Sequence, residues 1–138
     1  MPRTIPAVLA LAAVPLSLTA CAGSHSAAAA KDAQPGAATA AAGADGVQQV
    51  SIDTTNMFRF VPATVHMRVG KLRIAVSDSG AYPHNISFPD LHATSATVSG
   101  DPGQQKTTFT VTFTRPGTYR FVCTFHSSAG MTGQVVVS

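Results

Sequence analysis

Three observations predict an all-β fold, a sandwich of antiparallel strands. Beyond Cys21 there are only two leucines, Leu72 and Leu91, while Val, Thr and Phe abound, a composition that favours pleated strands over helices. Short apolar runs alternate with polar residues at a period of two. Pro and Gly punctuate those runs, with no helical period between them.

The N-terminus is read as an export segment. Residues 1–20 carry one early positive charge, Arg3, then an apolar run from Ile5 to Leu18, then small residues, the layout of a secretory signal and too short for a comfortable membrane span. Leu18-Thr19-Ala20-Cys21 resembles a bacterial lipobox, in which the Cys21 sulfur is lipidated and anchors the chain to a membrane. Cleavage after Ala22 would instead release a secreted protein. Either route places the remainder outside the cytoplasm.

Residues 21–46 are Ala, Gly, Ser and Gln with few charges, and read as a flexible tether, since methyl-sized side chains offset little ordering entropy. His25 in this stretch is expected to be solvated. Residues 47–138 then form one small domain, with no room for a second nucleotide or substrate domain.

Strands follow in order. Val65, Met67 and Val69 alternate with His66 and Arg68. Leu72, Ile74 and Val76 alternate with Lys71 and Arg73, and Phe109, Val111 and Phe113 with Thr108, Thr110 and Thr112. Arg115-Pro116-Gly117-Thr118 is a tight turn, Pro fixing its second position and Gly supplying positive φ at its third. Tyr119, Phe121 and Cys123 share the next strand's inward face, and Gln134 to Val137 close the fold.

The charge balance excludes a nucleic-acid binder. There are 9 Lys and Arg against 6 Asp and no Glu, and loss of Arg3 leaves 8 basic residues without a cluster.

A lone thiol in an exported domain calls for an explanation. On the cysteine alone, a buried inert thiol or a disulfide to Cys21 stays open. The neighbours favour a metal. Cys123, His126 and Met131 form Cys-x2-His-x4-Met on one loop, and His84 lies 39 residues before Cys123. Two imidazoles, a thiolate and a thioether suit copper in a trigonal site with a weak axial sulfur, and exclude a hard, oxygen-preferring ion. His66 reads as a surface strand residue, His92 as a loop residue, and Met57 and Met67 as ordinary apolar residues.

The sequence resembles the cupredoxins, most closely their plastocyanin-like members. The resemblance is carried by Phe58-Arg59-Phe60-Val61-Pro62, Val69-Gly70, Tyr82-Pro83-His84-Asn85-Ile86, Pro116 through Cys123, His126 through Met131 and Gly133-Gln134-Val135. It implies a Greek-key sandwich of about eight strands. It also implies one type 1 copper, with His84 and His126 binding through ring nitrogens, Cys123 through a short thiolate bond and Met131 as the long axial ligand. Asn85, Thr124 and Phe125 are implied to surround these ligands, Asn85 bracing the ligand loop near Cys123.

One departure is informative: many relatives carry Pro directly before the loop histidine, whereas here Phe125 restores a backbone N–H. Ala81, Tyr82 and Pro83, with Phe125 and Ser127 through Gly130, are expected to form a low-charge collar around an exposed His126. The acidic recognition patch of photosynthetic relatives is not evident.

The implied function is a monomeric one-electron carrier with a redox protein partner. The alternative is a copper-binding or delivery lipoprotein, though it lacks the Met-rich clusters common in such carriers. A Cys123/His126 nucleophile and base is disfavoured by the inward thiol, the small domain and the lack of an orienting third group.

Overall fold

A computed structural model describes residues 36–138. The expected export segment and lipid site, residues 1–20 and Cys21, lie outside them, as does His25. Among the described residues, eleven strand segments form two sheets: β1 (Ala37–Thr39), β2 (Ala41–Ala42), β3 (Gln48–Thr55), β4 (Arg59–Val61), β5 (Thr64–Met67), β6 (Gly70–Asp78), β7 (Ser87–Phe88), β8 (Ala93–Thr94), β9 (Lys106–Phe113), β10 (Gly117–Val122) and β11 (Thr132–Val137). One sheet runs β1-β5-β11-β10-β7-β8, the other β2-β3-β6-β9 with β4 against β3.

The all-β sandwich is as the alternation predicts, with two differences. The segments outnumber the expected eight because several, such as β2, β7 and β8, are two-residue pieces at sheet margins. The sheets are also mixed rather than purely antiparallel, since β1 with β5, β5 with β11, and β3 with β6 pair parallel. Side-chain alternation reports which face is inward and is blind to the direction of the neighbouring strand.

The core follows the pattern closely. Leu72, Ile74 and Val76 are buried from β6, Val111 and Phe113 from β9, and Val65 and Met67 from β5, while His66 faces solvent. Phe60, Phe88, Phe113 and Phe121 are fully enclosed, with Phe60 and Phe121 edge to face at 5.0 Å and Phe88 and Phe113 at 5.6 Å. Burial of each such ring contributes about 1.5–3 kcal/mol. Val69 departs from its expected inward place and is 44% exposed. β5 ends at Met67; the Val69 N–H then bonds the Ser138 carbonyl as the chain turns into β6 at Gly70, whose φ of +139° is a glycine conformation.

The Ala-rich stretch is not a tether throughout. Ala37 to Thr39 pair with Thr64 to His66, Ala40 is buried and donates to the His66 carbonyl, and Ala41 and Ala42 pair with Gln49 and Gln48. The chain thus edges one sheet and crosses to the other, and Asp45 ends the crossover in an exposed ion pair with Arg73 at 2.8 Å. Main-chain hydrogen bonds hold this segment, and side-chain composition carries no signal for them. His92 is an exposed loop residue, as expected.

Candidate metal centre

β10 delivers the thiol. Its alternation buries Phe121 and continues one step past the strand to bury Cys123, a free thiol. The loop beyond folds back on itself. The His126 N–H bonds the Cys123 carbonyl at 3.3 Å, and Ser127–Ala129 form a single 3-10 turn ending at Gly130, whose φ of +83° reverses the chain. The Met131 N–H then bonds the His126 carbonyl at 3.2 Å, and the Cys123 N–H bonds the Met131 carbonyl at 3.1 Å. Met131 is fully buried. His84, just before β7, the neighbour of β10, is held by a two-way backbone bridge to Val98, with bonds of 2.8 and 2.9 Å.

The polar atoms of His84, Cys123 and His126 lie within 4.8 Å of one another. Each histidine turns Nδ1 toward the thiol: His84 Nδ1 is 3.8 Å and His126 Nδ1 3.7 Å from Cys123 Sγ. These separations test the fit to a metal. Bonds of about 2.0–2.1 Å to imidazole nitrogen and about 2.3 Å to thiolate sulfur, opened at about 120°, hold N and S about 3.8 Å apart. Both histidine nitrogens therefore stand at the distance from Cys123 Sγ that two ligands of one ion would have, and the softness of the donor set suits copper.

Asn85 hydrogen-bonds to Thr124. Its Oδ1 accepts the Thr124 N–H at 2.9 Å and its Nδ2 donates to Thr124 Oγ1 at 2.8 Å, tying the residue after His84 to the residue after Cys123. Phe125 is half exposed, and its N–H has no protein acceptor among the described residues. His84 is enclosed, and burial pushes its pKa below the ordinary 6.5. The Asp78 carboxylate opposes that shift and His126 adds to it. The depression favours the neutral imidazole that a metal requires. His84 Nε2 and Asp78 Oδ2 are both buried without a hydrogen-bond partner.

His126 is half-buried rather than exposed. The expected collar is present in part, with Tyr82 51% and Phe125 50% exposed, and Met57, read as an ordinary apolar residue, joins this exposed apolar set at 66%. Sequence reasoning did not single out Phe58 as a site residue. Its ring stacks on His126 with centroids 4.3 Å apart and planes 21° apart, and meets the edge of His84 at 6.3 Å. An aromatic residue in a hairpin turn was the available signal, but nothing in the sequence pairs residue 58 with residue 126.

The sequence profile described as copper binding proteins, plastocyanin/azurin family, matches residues 47–138. The chloroplastic plastocyanin of Chlamydomonas reinhardtii is 33% identical over 111 residues, 73% of this chain and 72% of that protein. The plastocyanin of Sambucus nigra is 31% identical over 90 residues, 57% of this chain and 87% of that protein. A mutant plastocyanin of fern, solved in oxidized and reduced forms, superimposes with a TM-score of 0.51 at 25% identity, over 64% of this chain and 100% of that one.

Proposed function

The chain belongs to the plastocyanin/azurin family of copper-binding proteins, and from that premise we propose that it is a one-electron carrier acting outside the cytoplasm. Its cofactor is one type 1 copper. The observation that carries the reading is the pair of Nδ1 to Sγ separations, 3.8 and 3.7 Å, which match a trigonal ion before any ion is present. When bound, copper supplies a reversible Cu(II)/Cu(I) couple.

The protein's part is to change little. His84 and His126 would hold the ion through Nδ1, Cys123 through its thiolate, and the buried Met131 through its thioether sulfur. His84 is fixed by its bridge to Val98, Cys123 by the strand that precedes it, and the loop by Asn85, so neither oxidation state requires the ligands to move far. The half-buried edge of His126 would be the protein's contact point for a redox partner, and exchange of one electron there would make or break no covalent bond in the protein. The exposed apolar side chains of Met57, Tyr82 and Phe125 suit brief contact with a redox protein. Lipidation of Cys21 would tether the carrier to a membrane surface.

The test is the visible spectrum of the exported protein on addition of Cu(II), beside that of Cys123→Ser. The carrier reading requires an intense thiolate-to-copper band that ascorbate bleaches, ferricyanide restores and the variant lacks. Weak ligand-field absorption alone in the wild type would remove Cys123 from the ligand set and with it this reading.

A further inference from the structure

The loop that supplies Cys123, His126 and Met131 has little covering it. Residues 124, 125 and 127–130 are exposed, and Phe125 before His126 leaves free a φ angle that Pro would fix. Something else must hold the His126 ring. The residue placed to do so comes from the opposite sheet, at the tip of the hairpin joining β3 to β4.

That hairpin closes through Asn56, Met57 and Phe58, with the Phe58 N–H bonded to the Thr55 carbonyl at 3.0 Å. Its last position takes φ of +53°. Three-residue hairpins commonly need this left-handed conformation there, and Gly or Asn normally supplies it. A bulky aromatic side chain is a genuine outlier in that region and carries a conformational cost. The same ring lies parallel to His126 at 4.3 Å, and it packs against Tyr82 at 5.6 Å. Met57 and Phe58 also line a cleft of about 330 Å³ with Ala129, Gly130 and Thr132, so the hairpin tip faces the ligand loop.

We propose that Phe58 is a positioning residue: its ring, held in place by a strained turn, clamps the His126 imidazole face to face and keeps Nδ1 aimed at Cys123, with or without metal. The proposal deepens the copper-site reading and rests on it for its functional consequence. Two restraints then fix the ring. The loop hydrogen bonds locate the His126 backbone, and the Phe58 face limits rotation of its side chain.

The experiment uses the exported protein, wild type beside Phe58→Leu and Phe58→Tyr. In the metal-free protein, proton NMR of the histidine rings reads the stack directly: His126 resonances lie upfield of exposed His66 and His92, move downfield in Phe58→Leu and stay near wild type in Phe58→Tyr. In the copper-loaded protein, release to the Cu(I) chelator bathocuproine is roughly 3- to 10-fold faster in Phe58→Leu, the loss expected for one aromatic pair, and unchanged in Phe58→Tyr.

A release rate unchanged in Phe58→Leu overturns the proposal, and so does a rate in Phe58→Tyr as fast as in Phe58→Leu. If Phe58→Leu does not fold, the wild-type spectrum decides alone, since an unshifted His126 means no stack. Failure of the copper reading has a different signature: no charge-transfer band forms on adding Cu(II), whatever the ring shifts.

Discussion

Cys123 is buried for the same reason as Phe121: one position past the end of β10, it continues the strand's inward alternation two residues on, and the thiol inherits the direction that the aromatic ring imposes. Asn85 acts at the same scale, one side chain joining two ligand-bearing segments through Thr124. Asn85→Ala leaves the partly buried Thr124 N–H without that acceptor, so urea unfolding of the metal-free protein should show a loss of about 1–3 kcal/mol. The charge-transfer band should shift as well, because the Cys123 side of the loop loses its tie to His84. His84 makes a pH prediction. Its folded pKa is depressed below the unfolded value near 6.5, first by burial, so the unfolded chain binds more protons in acid. Its contribution is therefore fully present above 6.5 and is lost as pH falls from that value through the lower folded pKa. The urea midpoint of the metal-free protein should be level near pH 7.5 and lower at pH 5, and His84→Gln should flatten the dependence; a higher midpoint at pH 5 would contradict the assignment.

Two elements carry consequences that no single side chain does. β10 and β11 pair in a register that sets Phe121 opposite Gly133, and a Cβ on Gly133 would collide with the Phe121 ring and the Ala63 carbonyl. Gly133→Ala should therefore cost about 1–3 kcal/mol, read as a lower urea midpoint, with some loss of the charge-transfer band because β10 leads directly into Cys123. The crossover of residues 36–46 is the second such element. Truncation to Val47 removes β1 and β2, exposes the edge of β5 and breaks the Asp45 pair with Arg73. Since β5 also pairs with β11, the truncated domain should melt at a lower temperature than one beginning at Gly36. Equal melting temperatures would mean that the segment adds nothing to the fold.

At the scale of the molecule, the sandwich is a frame that brings residue 84 to residues 123–131 and leaves one imidazole near the surface. Copper should stabilise this frame by mass action because the unfolded chain cannot gather the same ligands, so the melting temperature should rise with Cu(II) in wild type and far less in Cys123→Ser. By itself the sequence determined the strand faces, the inward thiol and the soft donor set, because a period of two and the chemistry of Cys, His and Met are local properties. It also pointed to the metal, since the spacing from Cys123 to Met131 confines three donors to one loop. Only the tertiary structure decided the parallel pairings, the fate of the alanine-rich strands and the stacking of Phe58 on His126. Those features depend on main-chain hydrogen bonds and on contacts between residues far apart in the chain, and neither leaves a periodic trace in the order of the side chains.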